Sequence, residues 1–106
     1  MKNFFLGLFR SDETITEKQV EQKFTKAVKA SGGLALKFVS PGRVGVPDRI
    51  VLLPGGKAVF AEIKRPGGHL RKSQEAACRE IRSRGFPVHI IRSGADIEQF
   101  CDWYLR

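Results

Sequence analysis

The sequence predicts an α/β protein in which one mixed sheet carries helices on its faces. Two apolar runs of strand length lie on either side of Pro54-Gly55-Gly56, which is the signature of a β-hairpin. Residues 34–39 form another predicted strand, and Val88–Ile91 forms a short buried one. Apolar residues recur at helical spacing in three further segments, of which the first follows Thr14. The element order is therefore α-β-β-β-α-β-α, which is typical of a sheet covered by helices.

Sequence signals at the ends of the helices define their extent. A capping box at Thr14–Glu17 predicts the start of the first helix, and Gly32-Gly33 ends it after about residue 31. The second helix is predicted over about residues 70–84. Ser93–Asp96 fits a second capping box and opens the last helix. No repeat or linker interrupts this order.

The length and the charge of the chain limit its class. A chain of 106 residues suits one domain with a core of modest size, so we interpret residues 14–106 as a single domain and residues 1–13 as an N-terminal tail. The 19 Lys and Arg residues exceed the 11 Asp and Glu residues, which gives a net charge of +8. A compact domain this basic usually binds a polyanion, and nucleic acid is the first candidate. The alternative is a surplus of charge that serves solubility.

The cysteines and the hydropathy indicate a cytoplasmic protein. Cys78 and Cys101 lie in predicted helices among apolar neighbours, so we expect two reduced, buried thiols. Their spacing from His69 and His89 matches no common zinc pattern. The chain has no run of 18 or more apolar residues, so we expect neither a membrane span nor a membrane partner.

Three charged residues at the open end of the predicted hairpin have the chemistry of a metal site. Asp48 opens the first strand, whereas Glu62 and Lys64 close the second, so the hairpin brings them together. The period of two in a strand places Glu62 and Lys64 on one face. Two carboxylates, with the backbone carbonyl of Ile63 between them, are hard oxygen ligands of the kind that Mg²⁺ or Mn²⁺ prefers. Lys64 would then orient the attacking water or neutralise charge in the transition state. The alternative is an ion pair at the edge of a sheet.

Two further residues are candidates for the same site. Glu21 borders the inward face of the first helix, so it is expected to bind the metal directly or through a water, while Glu17 lies one turn before it. A bound cation would relieve the repulsion within this i,i+4 pair. Gln74 follows a glycine-containing loop and is expected to hold the nucleophilic water or a phosphate. The alternatives are a solvated helix face and a surface glutamine.

Basic residues cluster in sequence around the same end of the hairpin. Side chains of this type contact phosphates, and they set the affinity and its salt dependence rather than sequence preference. The predicted DNA-binding residues are Arg43, Arg49, Arg65, Arg71 and Lys72.

Taken together, these residues resemble the PD-(D/E)XK nuclease superfamily. Pro47-Asp48 matches the PD half of its motif, and Glu62-Ile63-Lys64 matches the E-x-K half. Within that superfamily the sequence is similar to the VRR-NUC family over about residues 14–95. The matching positions are Val20-Glu21, Gly32-Gly33, Lys37, Gly45–Asp48, Pro54–Gly56, Phe60–Lys64, Pro66–Gly68, Gln74 and Gly85–Val88.

The resemblance implies a restriction-endonuclease-like αβββαβ core and cleavage of DNA that depends on Mg²⁺ or Mn²⁺. It implies that Glu21 is the helical carboxylate, that Asp48 and Glu62 bind the metal, that Lys64 is the catalytic lysine and that Gln74 supports them. Glu17 is not assigned a role by it. It also implies a homodimer that acts on branched DNA such as Holliday junctions, in the cytoplasm of a bacterium or of a phage-infected cell.

The same sequence features are compatible with other functions. A flap or nicking nuclease without preference for junctions would use the same residues. A non-catalytic DNA-binding module on the same fold is a second alternative, although a binder gains nothing from carboxylates that face phosphates. A small RNA-binding protein is a third, and it is disfavoured because Phe60 stands alone on its strand, where a stacking platform needs two or three aromatic residues.

Overall fold

The computed structural model describes residues 15–106, and it has the α/β architecture that the sequence predicts. The tail predicted over residues 1–13 lies outside the described residues. Three helices and four strands follow one another in the expected order: α1 (Glu17–Ala30), β1 (Leu34–Lys37), β2 (Arg49–Leu53), β3 (Lys57–Ile63), α2 (Lys72–Ser83), β4 (Val88–Ile91) and α3 (Gly94–Tyr104).

The four strands form one mixed sheet in the order β1-β2-β3-β4. The first three strands are antiparallel neighbours, and β4 runs parallel to β3. The predicted hairpin is β2 and β3, in which Leu53 pairs with Lys57 across Pro54-Gly55-Gly56. Gly55 and Gly56 both have positive φ, which explains why glycine stands at these two turn positions.

The first helix begins two residues later than the sequence predicts. Its N-cap is Thr16, whose hydroxyl oxygen accepts a hydrogen bond from the backbone N–H of Gln19 at 3.1 Å. In return the side-chain oxygen of Gln19 accepts from the backbone N–H of Thr16 at 2.9 Å. The capping box is therefore Thr16–Gln19 rather than Thr14–Glu17. Both segments satisfy the rule of a Ser or Thr followed three residues later by Glu or Gln, so the pattern alone does not separate them.

The main core lies between the sheet and the pair of helices α1 and α3. Phe24 of α1 meets Phe100 of α3 edge to face, with ring centroids 5.0 Å apart. The buried residues of this core are Val20, Phe24, Val28, Val51, Leu53, Val59, Ala61, Ile63, Ile91, Ile97, Phe100 and Cys101. Both cysteines are buried free thiols, as predicted. Within residues 15–106 no helix is long and apolar enough to cross a membrane.

The second face of the sheet is only partly covered. Helix α2 packs there, with Ala77 and Cys78 buried. On β1 and β2, by contrast, Leu34, Leu36 and Leu52 are 52%, 44% and 40% exposed. These leucines are cross-strand neighbours, because Leu34 pairs with Leu52 and Leu36 with Ile50. We call this surface the apolar sheet face and define it as Leu34, Leu36, Ile50 and Leu52.

Candidate active site

The two open ends of the β2–β3 hairpin meet as predicted. Asp48 immediately precedes β2, and its Oδ2 atom accepts a hydrogen bond from the backbone N–H of Ile63 at 2.8 Å. The backbone carbonyl of Asp48 accepts a second bond, from the N–H of Phe38, also at 2.8 Å. Asp48 is therefore held by β3 on one side and by the end of the β1 segment on the other, next to Glu62 and Lys64.

Glu62 is the most unusual side chain of the domain because it is an acid that is almost completely buried. Its Oε2 atom accepts a hydrogen bond from Nε2 of Gln74 at 2.7 Å and lies 3.8 Å from Nζ of Lys64. Its Oε1 atom is buried without any hydrogen-bond partner. A buried carboxylate oxygen that lacks a partner is destabilising in the folded protein, so this atom indicates a place for a cation or a donor that residues 15–106 do not provide.

The surroundings of Glu62 raise its pKa from 4.5 to about 7. Burial is the largest cause, and the negative charge of Asp48 is the next. The Lys64 ammonium lowers the pKa, the charge of Glu17 raises it, and the nearby backbone of Asp48 lowers it by a smaller amount. Near neutral pH the side chain is thus close to the midpoint of its titration, which is common at functional sites.

Gln74 connects the start of α2 to Glu62. Its Nε2 atom donates to Glu62, while its Oε1 atom accepts from the backbone N–H of Arg71 at 2.8 Å. The side chain is 6% exposed, so the alternative of a surface glutamine is wrong. With both ends engaged, Gln74 fixes the orientation of the Glu62 carboxylate and completes the cap of α2. Partners of this kind commonly position the ligands of a metal site.

A glycine sets the distance between the Asp48 loop and α2. Gly45 has a φ of +85°, and a Cβ atom there would overlap the carbonyl oxygen of Ser73 and lie 2.9 Å from the backbone nitrogen of Gln74. Only glycine allows this close approach. The loop that carries Asp48 and the helix that carries Gln74 therefore pack backbone to backbone.

The two glutamates of α1, Glu17 and Glu21, have different surroundings, and the predicted role of Glu21 as the helical carboxylate stays a prediction. Glu17, the first residue of α1, is one of the charges that raise the pKa of Glu62. Glu21 instead forms an ion pair with Arg49, whose Nη2 and Nε atoms donate to its Oε2 atom at 2.9 and 3.1 Å. Arg49 shares a sheet face with the core residue Ala61, opposite the face that carries Glu62. Sequence spacing does not separate the two glutamates, because they lie one turn apart on α1.

Separate replacements of the two glutamates distinguish their roles. We expect Glu17→Gln to lower any metal-dependent cleavage by about 10- to 100-fold, the range typical of groups that support a metal site. Glu21→Gln removes the charged partner of Arg49, so it is expected to lower the free energy of unfolding by about 1–3 kcal/mol while leaving cleavage within about threefold. Thermal denaturation and cleavage rates of both variants check this. A large loss of cleavage in Glu21→Gln at unchanged stability would support the role of Glu21 predicted from the sequence.

The predicted DNA-binding residues divide into two groups. Arg49 is largely buried against Glu21 and also donates to the carbonyl of Ala35, so it joins α1 to the sheet instead of facing a ligand. Arg43 forms an ion pair with Glu80. The remaining three are exposed: Arg65 and Arg71 lie in the segment that joins β3 to α2, as does Lys64, and Lys72 is the first residue of α2.

The donor set fits a small divalent cation bound partly by water. The described residues hold no group of three His, Cys, Asp or Glu side chains close enough to form a metal cage on their own. Two carboxylates, Asp48 and Glu62, do converge, and Glu62 Oε1 is unpartnered. A site with one or two carboxylates and several waters is the usual way in which Mg²⁺ binds to proteins. The predicted ligation by the carbonyl of Ile63 stays a prediction.

Comparisons with known proteins agree with this geometry. The sequence profile of the VRR-NUC domain matches residues 9–95. A solved structure of a VRR_NUC domain superposes with a TM-score of 0.78 at 28% identity, covering 85% of this chain and 99% of that one. Over 53 residues the chain is 55% identical to protein p44 of Acyrthosiphon pisum secondary endosymbiont phage 1, which is named as a nuclease. That match spans 50% of this chain and 57% of the relative.

Proposed function

This chain belongs to the VRR-NUC domain family, and on that premise we propose that it is a metal-dependent endonuclease that hydrolyses DNA phosphodiester bonds. The proposal depends on the environment of Glu62. This side chain is buried, it has an oxygen without a partner, and it stands beside Asp48 and Lys64 at the hairpin end. Such a carboxylate would hold a cation next to an anionic substrate.

Asp48 and Glu62 would hold the metal, and Glu17 would act on it through a water. The cation, Mg²⁺ or Mn²⁺, supplies a Lewis acid for the phosphate and lowers the pKa of a bound water. The protein contributes position: the Ile63 N–H fixes Asp48, and Gln74 fixes Glu62. The Lys64 ammonium, which reaches the same carboxylate, neutralises charge that develops on the phosphate oxygens.

A DNA-binding module without catalytic activity is the main alternative. It is less well supported because a buried acid beside Asp48 and Glu17 repels phosphates and destabilises the fold. Neither cost serves a protein that only binds DNA. A flap or nicking nuclease has the same site and differs only in the substrate that it prefers.

We further propose that the protein acts as a homodimer on branched DNA. The apolar sheet face supports the dimer, because three neighbouring leucines that are 40–52% exposed are typical of a surface that meets another protein. Two active sites related by a two-fold axis suit paired cuts in a symmetric junction. Sedimentation of the double variant Leu36→Asp and Leu52→Asp tests this, with Trp103→Asp on α3 as the control. A wild-type protein that sediments as a monomer contradicts the dimer.

A cleavage assay tests the nuclease proposal itself. Labelled four-way junction, flap, nicked and linear DNA are each incubated with Mg²⁺, Mn²⁺ or EDTA. Asp48→Asn keeps an acceptor for the Ile63 N–H but removes the charge, so we expect a folded protein whose cleavage is reduced at least about 100-fold. Asp102→Asn, which changes an exposed carboxylate on α3, is the matched control.

The outcomes separate the candidates. Cutting that needs a metal and is lost only in Asp48→Asn supports the nuclease, and the preferred substrate distinguishes a resolvase from a flap enzyme. Cutting that persists in Asp48→Asn contradicts the assigned site. Tight binding without cutting by the wild-type protein on any substrate favours the DNA-binding module.

A further inference from the structure

A groove runs along α1 beside the edge strand β1. Its volume is about 770 Å³. Strand β1 lies at one end of the four-strand order, so among the described strands it pairs only with β2. Its lining includes Gln22, Lys23, Lys26, Lys29 and Ala35. No acidic residue in the described part of the chain lines it.

The charges on α1 are separated along its length. Both glutamates of the helix, Glu17 and Glu21, lie in its first half, whereas Lys23, Lys26 and Lys29 follow at spacings of three. Residues three apart share a helix face, so these lysines form one row. Like charges at this spacing destabilise a helix by about 0.2–0.5 kcal/mol for each pair unless an anion lies between them. The row therefore favours an anionic ligand.

Two of these lysines are exposed and have no ionic partner in the described part of the chain. Neither Lys26 nor Lys29 forms an ion pair within residues 15–106. The contrast is with Arg43 and Arg49, predicted from sequence to contact DNA, each of which is paired with a glutamate of the protein itself. Lys26 and Lys29 thus provide positive charge that no acid among residues 15–106 neutralises in an ion pair.

The length of α1 gives the separation between this charge and the active site. Glu17 at the start of the helix influences Glu62, and Lys29 lies twelve residues further on. At 1.5 Å per residue this is about 18 Å along the helix axis. A DNA duplex covers that distance in about five base pairs, since one base pair advances 3.4 Å.

We propose that the groove binds the phosphate backbone of one DNA arm, about five base pairs from the phosphate that is cut. The proposal rests on the proposed nuclease function for its substrate. It adds a second contact region that sets affinity and the direction of the arm, while the chemistry stays at the hairpin end. A phosphate chain suits this groove better than an added peptide strand, because Lys26 and Lys29 line it and neither forms an ion pair with another described residue.

The test compares two pairs of lysine replacements in the full chain. Lys26→Ala with Lys29→Ala removes charge from the groove, and Lys18→Ala with Lys57→Ala removes the same charge from exposed positions elsewhere. Fluorescence anisotropy in EDTA measures binding without cleavage. The DNA is a four-way junction whose arms, closed by loops, have either three or twelve base pairs.

We expect the groove variant to bind long-armed DNA about tenfold more weakly than the control variant at about 0.1 M salt. Its salt slope is expected to fall by about 2, as for the loss of two phosphate contacts. On three-base-pair arms, which end before the groove, the two variants are expected to bind alike. At saturating long-armed DNA with Mg²⁺, the groove variant is expected to keep the wild-type cleavage rate.

Two results would overturn the groove proposal. The first is equal affinity and salt slope for the two variants on long arms. The second is a change in the sedimentation of the groove variant with no change in its DNA affinity. That result would mean that the groove binds protein rather than DNA. Failure of the wild-type protein to cleave any substrate contradicts the proposed nuclease activity instead. The anisotropy measurement still decides whether the groove binds DNA, because it is made without cleavage.

Discussion

Replacement of Glu62 by glutamine is expected to abolish cleavage and, at the same time, to stabilise the metal-free protein at pH 8. The loss of cleavage follows because a direct ligand should matter more than the supporting groups, whose removal typically lowers activity by about 10- to 100-fold. The gain in stability follows from the charge of the wild-type side chain. An ionised Glu62 is buried beside Asp48 and Glu17, whereas a glutamine at that position is neutral at every pH.

The direction of the pH effect follows from the raised pKa of Glu62. The pKa is 4.5 for an ordinary glutamate and about 7 in the folded protein. Below about pH 4.5 the group is protonated in both the folded and unfolded states and has no effect on stability. Between about pH 4.5 and 7 the unfolded state releases its proton first, so the folded protein loses stability as the pH rises. The full loss, reached above about pH 7, is roughly 3 kcal/mol.

Chemical denaturation at pH 5 and pH 8 measures this effect. The free energy of unfolding of Glu62→Gln relative to that of the wild type is expected to be higher at pH 8 than at pH 5 by about 2–3 kcal/mol, because part of the loss in the wild type is already present at pH 5. Comparing two pH values cancels any constant contribution of the new amide group. Glu75→Gln, an exposed change on α2, is the control. Addition of Mg²⁺ at pH 8 should stabilise the wild type and not the variant, and a pH-independent difference would contradict the buried charge.

Replacement of Gly45 by alanine is expected to have the largest effect of any single methyl group added to the chain. Two penalties coincide at this position. The φ of +85° is strained for any residue with a Cβ atom, which costs about 1–3 kcal/mol. The added carbon also overlaps the backbone of Ser73 in α2, so the loop must move away from the helix. Asp48 moves with it, and cleavage should therefore fall along with stability.

Other glycines of the same chain separate the two penalties. Position 56 already has a positive φ, and a Cβ atom added there has no other atom within 4 Å. Gly56→Ala therefore adds only backbone strain. Gly42 lies in the same loop as Gly45 but has no positive φ, and a Cβ atom added there has no other atom within 4 Å. Gly42→Ala therefore adds neither backbone strain nor a steric overlap. Thermal denaturation should rank Gly42→Ala as nearly neutral, Gly56→Ala as mildly destabilising and Gly45→Ala as severely so. If Gly45→Ala and Gly56→Ala were alike, the close packing on α2 would be refuted.

The hairpin part of the site could be predicted because its geometry is local. Pro54-Gly55-Gly56 sets the turn, the turn sets the register, and the register brings Asp48 to Ile63 and Glu62. The order of the helices and strands could be predicted for the same reason, since each element is one continuous segment of the sequence with its own periodicity.

The different surroundings of Glu17 and Glu21 could not be predicted because they depend on how α1 lies on the sheet. The two residues are one turn apart and equally acidic, so sequence spacing treats them alike. Packing separates them: Arg49 reaches Glu21 from β2, whereas the charge of Glu17 acts on Glu62. The same ion pair holds Arg49 against α1, although the sequence predicts a DNA contact for this residue. A basic residue next to a motif can equally be part of the support of the fold.

The two hydrogen bonds of Gln74 make a distant amide proton into a spectroscopic reporter. Glu62 accepts from one end of the Gln74 amide, and the backbone N–H of Arg71 donates to the other. Ionisation of Glu62 polarises that amide and strengthens its second bond, because hydrogen bonds in series reinforce one another. The charge state of the buried acid can therefore be followed by NMR at a solvent-exposed residue, without altering any atom of the site.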